Sequence, residues 1–147
     1  FYSGLQKDKA AHFFYLTNSE WNLYPVVNYF LADEGFPKGS LFMNWLKPHF
    51  KKIRLRNKVH KRDYLDLLVN FFPESKFILI GDSGQKDPRI YTEFINDYPD
   101  VVCSVGFRVM KKGMNEKRLK LMFQPFIDNG GKLNLFEQGT NLSNQDW

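Results

Sequence analysis

The stretch Lys76-Phe77-Ile78-Leu79-Ile80-Gly81-Asp82-Ser83-Gly84-Gln85-Lys86-Asp87 decides the fold. Four large apolar residues run into a polar loop bearing two glycines, the pattern of a buried strand with a sharp end. Apolar residues at helical spacing lie on both sides of it. Upstream are Tyr64, Leu65, Leu68, Phe71 and Phe72, closed by Pro73; downstream are Ile90, Tyr91, Phe94 and Ile95, closed near Pro99. A strand held between two amphipathic helices is the unit of a parallel α/β sheet.

The pattern continues outward. Val101 to Val109 reads as a strand. Leu119, Met122, Phe123, Phe126 and Ile127 mark a helix, with Pro125 a predicted kink and Gly130-Gly131 its end. Leu133 to Phe136 is a last strand. Toward the start, His12 to Leu16 is an aromatic-rich strand that stops at Thr17-Asn18-Ser19. Leu23, Val26, Val27, Phe30 and Leu31 form one helix face, with Pro25 in its first turn and Gly35 after its end. Ser40 to Met43 is a short strand. The order is β-α-β-α-β-α-β-α-β, so the expected fold is a parallel sheet covered by helices on both faces.

Composition agrees with one globular unit. The chain has 147 residues, 43% hydrophobic and 17% aromatic, which excludes disorder. One cysteine, Cys103, excludes a disulfide scaffold; it lies in an apolar strand run and reads as a buried structural thiol. No apolar run approaches the ~20 residues that span a bilayer. With no secretory signal pattern, a reducing, cytoplasmic setting is expected. The first residue is Phe1, not Met, and the chain reads as a piece of a longer protein.

In open parallel sheets ligands bind beyond the carboxyl ends of the strands, where two polar clusters fall. Asp82 and Asp87 lie five apart on a glycine-bearing loop, suiting a hard cation whose shell is completed by water and phosphate. They equally suit a loop in which Asp82 or Ser83 caps the next helix. Thr17-Asn18-Ser19 offers hydroxyls and backbone N–H groups to a phosphate oxygen, or caps a helix. Lys61 would add a point charge to a phosphoryl group, although a surface lysine needs no explanation. From Lys47 to Arg62 eight residues are basic and none acidic. Within that run Lys51, Lys52, Arg54, Arg56 and Lys58 suit anionic lipid head groups, nucleic-acid phosphates or plain solvation. Ser83 does not fit the G-x-S-x-G nucleophile elbow, because the second glycine comes one residue early.

Together the clusters are recognisable. Thr17-Asn18, then Lys61, then Gly81-Asp82-x-x-x-x-Asp87 resembles the second, third and fourth motifs of the haloacid dehalogenase superfamily. LTNSEWNLYP (16–25), EGFPKGSL (34–41), HKRDYL (60–65) and FPESKFILIGDSGQKDPRIY (72–91) resemble the actin-patch-associated phosphatidate phosphatase catalytic domains. The resemblance covers about Phe13 to Val109, most of the chain.

It implies a Rossmann-like parallel sheet and a Mg²⁺-dependent phosphatidate phosphatase acting through an aspartyl-phosphate. Thr17 and the Asn18 backbone would hold phosphoryl oxygens, and Lys61 would align the phosphate. Asp82 and Asp87 would serve the Mg²⁺ site, with Ser83 and Gln85 shaping the loop. The partners implied are phosphatidate, or another phosphomonoester, and peripherally an anionic membrane surface, with nucleic acid set behind them.

The family's paired nucleophilic and acid–base aspartates have no counterpart here. Phe1 to Ala11 holds only Asp8, and Asp33, Asp63 and Asp66 sit in helical patterns. Residues 1–147 are therefore expected to be the C-terminal part of one catalytic domain, inactive alone. The absent first-motif strand would lie between the Thr17 and Asp82 strands, leaving each with an unpaired inner edge or pairing them directly. Two other functions fit less of the pattern: a phosphatase for a soluble or protein substrate, and a non-catalytic module binding anionic membranes or nucleic acid.

Overall fold

The computed structural model describes residues 11–44, 60–137 and 147. The elements run β1 (Phe13–Glu20), a 3-10 turn (Trp21–Leu23), α1 (Tyr24–Asp33), β2 (Gly39–Asn44), α2 (His60–Phe71), β3 (Phe77–Asp82), α3 (Asp87–Asp97), β4 (Val102–Arg108), α4 (Glu116–Asp128) and β5 (Lys132–Phe136). This is the alternation expected, and every pairing is parallel. The α/β class follows from that.

The expected single sheet is divided among the described residues. One sheet has the order β1-β2 and the other β3-β4-β5. Among the described residues β1 and β3 each lie at the end of their sheet and are not paired with each other. The chain also separates into two compact units, Phe1–Leu65 and Asp66–Trp147.

In the first unit, β1 and β2 keep regular register from Phe13↔Gly39 to Leu16↔Phe42, then skip to Glu20↔Asn44. Three residues, Thr17 to Ser19, thus stand against Met43 alone. The strand does not stop at Thr17 as expected; it bulges there and continues. α1 starts with proline in its first turn, and Gly35 past its end has φ +68°, the left-handed geometry glycine favours. Its expected core face is only partly covered: Val27 and Leu31 are half-buried, while Val26, Tyr29 and Phe30 are exposed. Two strands give a helix little surface to cover.

The second unit is organised around Phe107 in the middle strand. Its ring lies 5.6 Å from Tyr91 of α3 and 5.2 Å from Phe123 of α4. Both helices therefore pack on one face of this sheet. Side chains alternate along a strand, so Ser104 and Gly106 occupy the opposite face. There Asn134 donates to the Ser104 hydroxyl at 3.1 Å, and the Trp147 ring lies over Gly106. α4 runs unbroken through Pro125.

Cys103 departs from expectation: it is exposed. The register passes from Phe77↔Val102 to Ile78↔Ser104, so Cys103 is the extra residue of a bulge and is turned out of the packing. Its thiol donates to the Phe77 carbonyl at 3.4 Å.

Phe107 has no exposed surface. Phe107→Ala is expected to lower the unfolding free energy by roughly 3–5 kcal/mol. Urea unfolding checks this; a loss under about 1 kcal/mol would mean that the helices do not pack around that ring.

Candidate active site

The Gly81–Asp87 loop is built on a close approach. α3 begins at Asp87, whose side chain is buried. Its carboxylate Oδ2 accepts from the Asp82 amide at 3.4 Å, across the tight β3–α3 connection. A Cβ at Gly81 would stand 2.7 Å from that oxygen and 2.9 Å from the Asp87 Cβ, so only glycine leaves the carboxylate its place. Position in the first turn of a helix also favours the negative charge. The G-D-x-x-x-x-D spacing thus has a packing reason.

Asp82 sits at the strand end, half-buried, and its Oδ1 accepts from the Gly84 amide at 2.9 Å. Ser83 is buried. Its hydroxyl accepts from the Met110 amide at 2.8 Å, its amide donates to the Arg108 carbonyl at 2.9 Å, and its carbonyl accepts from the Met114 amide at 2.8 Å. Three bonds from one residue fasten this loop to the last residue of β4 and to the turn that follows it. Gly113 is required there, because a Cβ would come within 2.6 Å of the Ser83 backbone. The helix-capping alternative is not what these side chains do: the N-cap of α3 is Lys86, without a side-chain bond. Gln85 is exposed on the same loop.

In the first unit the bulge holds the other cluster. Thr17 Oγ1 accepts from the Ser19 amide at 3.1 Å and donates to the Ser19 hydroxyl at 3.0 Å. The Asn44 side-chain amide donates to the Asn18 carbonyl at 3.0 Å, tying the bulge to the end of β2. Thr17 caps no helix: the 3-10 turn starts after Glu20 and α1 after Leu23, both without side-chain caps. Bulges of this kind re-aim side chains at functional sites. Lys61 lies half-buried in the first turn of α2. Tyr64, one turn on, packs against Phe42 of β2 with ring centroids 4.6 Å apart. Thr17, Asn18 and Lys61 thus belong to the first unit, and Asp82, Ser83, Gln85 and Asp87 to the second. Lys51, Lys52, Arg54, Arg56 and Lys58 lie outside the described residues.

Sequence reasoning missed the turn at Met110 to Met114. Its tie to Ser83 joins positions 27 residues apart, and no local pattern announces it.

Among the described residues no three His, Cys, Asp or Glu side chains converge. Asp82 and Asp87 alone could supply at most part of a cation's shell. That fits Mg²⁺, which keeps several waters and takes one or two carboxylates with substrate phosphate.

The sequence matches the family described as phosphatidate phosphatase APP1, catalytic domain, over residues 1–109. The chain belongs to this family. A Saccharomyces cerevisiae protein named phosphatidate phosphatase APP1 is 24% identical over 116 residues, which cover 78% of this chain and 20% of that protein. An uncharacterized Schizosaccharomyces pombe protein is 26% identical over 100 residues, 67% of this chain and 16% of its own. The chain thus spans about a fifth or less of the length of these relatives. No solved structure matches. The match takes in both clusters and the Ser83 loop, and ends just before Met110.

Ser83→Ala removes the acceptor of the Met110 amide while leaving the two backbone bonds. The Met110 amide is expected to exchange with solvent roughly tenfold faster or more, with the Phe107 amide unaffected. Hydrogen exchange followed by NMR checks this, and an unchanged Met110 rate would show that the hydroxyl does not hold the turn.

Proposed function

We propose that the intact protein is a Mg²⁺-dependent phosphatidate phosphatase, releasing phosphate and diacylglycerol through an aspartyl-phosphate. The observation that carries the reading is the Asp82–Asp87 pair, held by Gly81 at the end of β3 in a chain of the phosphatidate phosphatase family. Asp82 and Asp87 would hold Mg²⁺, which when bound offsets charge on the phosphoryl oxygens. The Thr17 hydroxyl and the Asn18 amide would receive phosphoryl oxygens from the bulge, and Lys61 would add a point charge. Ser83 keeps Asp82 in place by fixing the loop from behind.

The nucleophilic aspartate and its acid–base partner would come from a segment outside these 147 residues. That β1 and β3 each lie at the end of their sheet among the described residues supports that division. On this reading residues 1–147 are part of one catalytic domain, and the chain alone turns over no phosphatidate. The enzyme would work in the cytoplasm and at membrane surfaces, where its lipid substrate resides. Among the described residues no helix is long and apolar enough to cross a membrane.

Asp82→Ala in the full-length protein is expected to lower phosphate release from phosphatidate vesicles by roughly a hundredfold or more, a few kcal/mol of transition-state stabilisation. Full activity in that variant would overturn the assignment of the metal to Asp82. Activity on soluble phosphate esters but not on phosphatidate would overturn the lipid substrate.

A further inference from the structure

A second basic segment follows β4, apart from the 47–62 run. Arg108 to Lys120 contains six Lys or Arg residues and one acid, Glu116. Glu116 already faces Lys120 at 3.8 Å on the surface of α4. Arg108, Lys111, Lys112, Lys117 and Arg118 are all exposed.

Two features set this segment apart from an ordinary solvated charge run. The first is its address. Ser83 fastens the 110–114 turn to the Asp82 loop by bonds at 2.8 Å to the Met110 and Met114 amides. The Met110 side chain reaches the same place: its Cγ is 3.4 Å from where a Gly84 Cβ would stand, and Asp82 Oδ1 is 3.3 Å from that point. Lys111 and Lys112 therefore rise from a turn anchored at the candidate metal loop. The second is apolar surface among the charges. Met110 is 38% exposed and Leu121 is 76% exposed. Leu121 stands one helical turn after Lys117 and Arg118, so the three share the outer face of α4, opposite buried Leu119, Phe123 and Phe126. Basic residues around an exposed apolar side chain are the composition of a surface that lies in the head-group region of a bilayer.

We propose that the 110–114 turn and the outer face of α4 form a docking surface for an anionic phospholipid bilayer. Its attachment to the Asp82 loop would hold that end of the sheet against the lipid. The proposal rests on the phosphatidate reading for its biological sense, because an enzyme with a bilayer-embedded substrate must face the bilayer. Its physical basis is independent of that reading: charge complementarity with anionic head groups and the apolar side chains Met110 and Leu121.

The test reads binding, not turnover, so a failure of the phosphatase reading leaves it intact. Full-length protein is sedimented with phosphatidylcholine vesicles, with and without phosphatidylserine. Lys111→Ala/Lys112→Ala is expected to weaken binding to the anionic vesicles by roughly 10- to 30-fold, from about a fivefold loss per basic residue. Leu121→Ser removes apolar contact without touching charge and is expected to weaken the same binding several-fold. These side chains are exposed, so both variants should keep the wild-type melting temperature. Wild-type affinity for anionic vesicles in both variants would overturn the proposal, as would binding that ignores phosphatidylserine. Salt-sensitive binding to duplex DNA with none to vesicles would also overturn it and make the partner a nucleic acid.

Discussion

A buried carboxylate at the β3–α3 junction is the constraint on which the second unit depends. Placing the Asp87 side chain out of water costs several kcal/mol unless its charge is met by donors. The Asp82 amide and the start of α3 meet it, and the missing Cβ at Gly81 leaves the space. That arrangement sets where Asp82 leaves the strand. Ser83, the next residue, then turns inward and binds the 110–114 turn. One close contact thus orders two loops at the same end of the sheet, and Phe107 beneath them ties both helices to the strands.

The first unit has a different character. Among the described residues its strands form a single pair, and α1 has no buried residue. A two-stranded pairing gains little from sheet hydrogen bonds alone, and local ties add to it. The Thr17–Ser19 bulge is bonded within itself and to Asn44, and the Tyr15 hydroxyl donates to the Pro37 carbonyl at 2.6 Å. These polar ties add to the apolar contacts of the unit, in which Met43 is buried and Phe42 packs on Tyr64.

Much of this was legible in the sequence, for definite reasons. Strands and helices alternate because apolar periodicity alternates, and Pro25, Gly35 and Pro73 mark boundaries by local backbone chemistry. Gly81-Asp82 at a strand end pointed to the loop, and the family motifs carried the resemblance. Other features escaped because they depend on partners distant in sequence. Cys103 looked buried in an apolar run, yet a one-residue bulge turned it outward. Thr17 looked like a strand end or a cap, yet the strand bulges and goes on. Ser83 looked like a helix cap and fitted no nucleophile pattern, yet its bonds go to the end of β4 and the turn after it, which have no local signature. The helical stripe of α1 was right as periodicity, but periodicity does not say how much surface the opposite layer provides. The Arg108–Lys120 charge was overlooked because it is split between a strand end, a turn and a helix and includes the acid Glu116, whereas the 47–62 run holds no acid.

The central claim is that the Asp82 loop serves a Mg²⁺-dependent hydrolysis of phosphatidate. The most direct measurement is phosphate release from phosphatidate vesicles by the full-length protein, stripped of divalent ions and then titrated with Mg²⁺. The account predicts negligible release after stripping and a saturable return of at least about a hundredfold with Mg²⁺. Turnover that persists at full rate without divalent ions, or no turnover at any Mg²⁺ concentration, would contradict it.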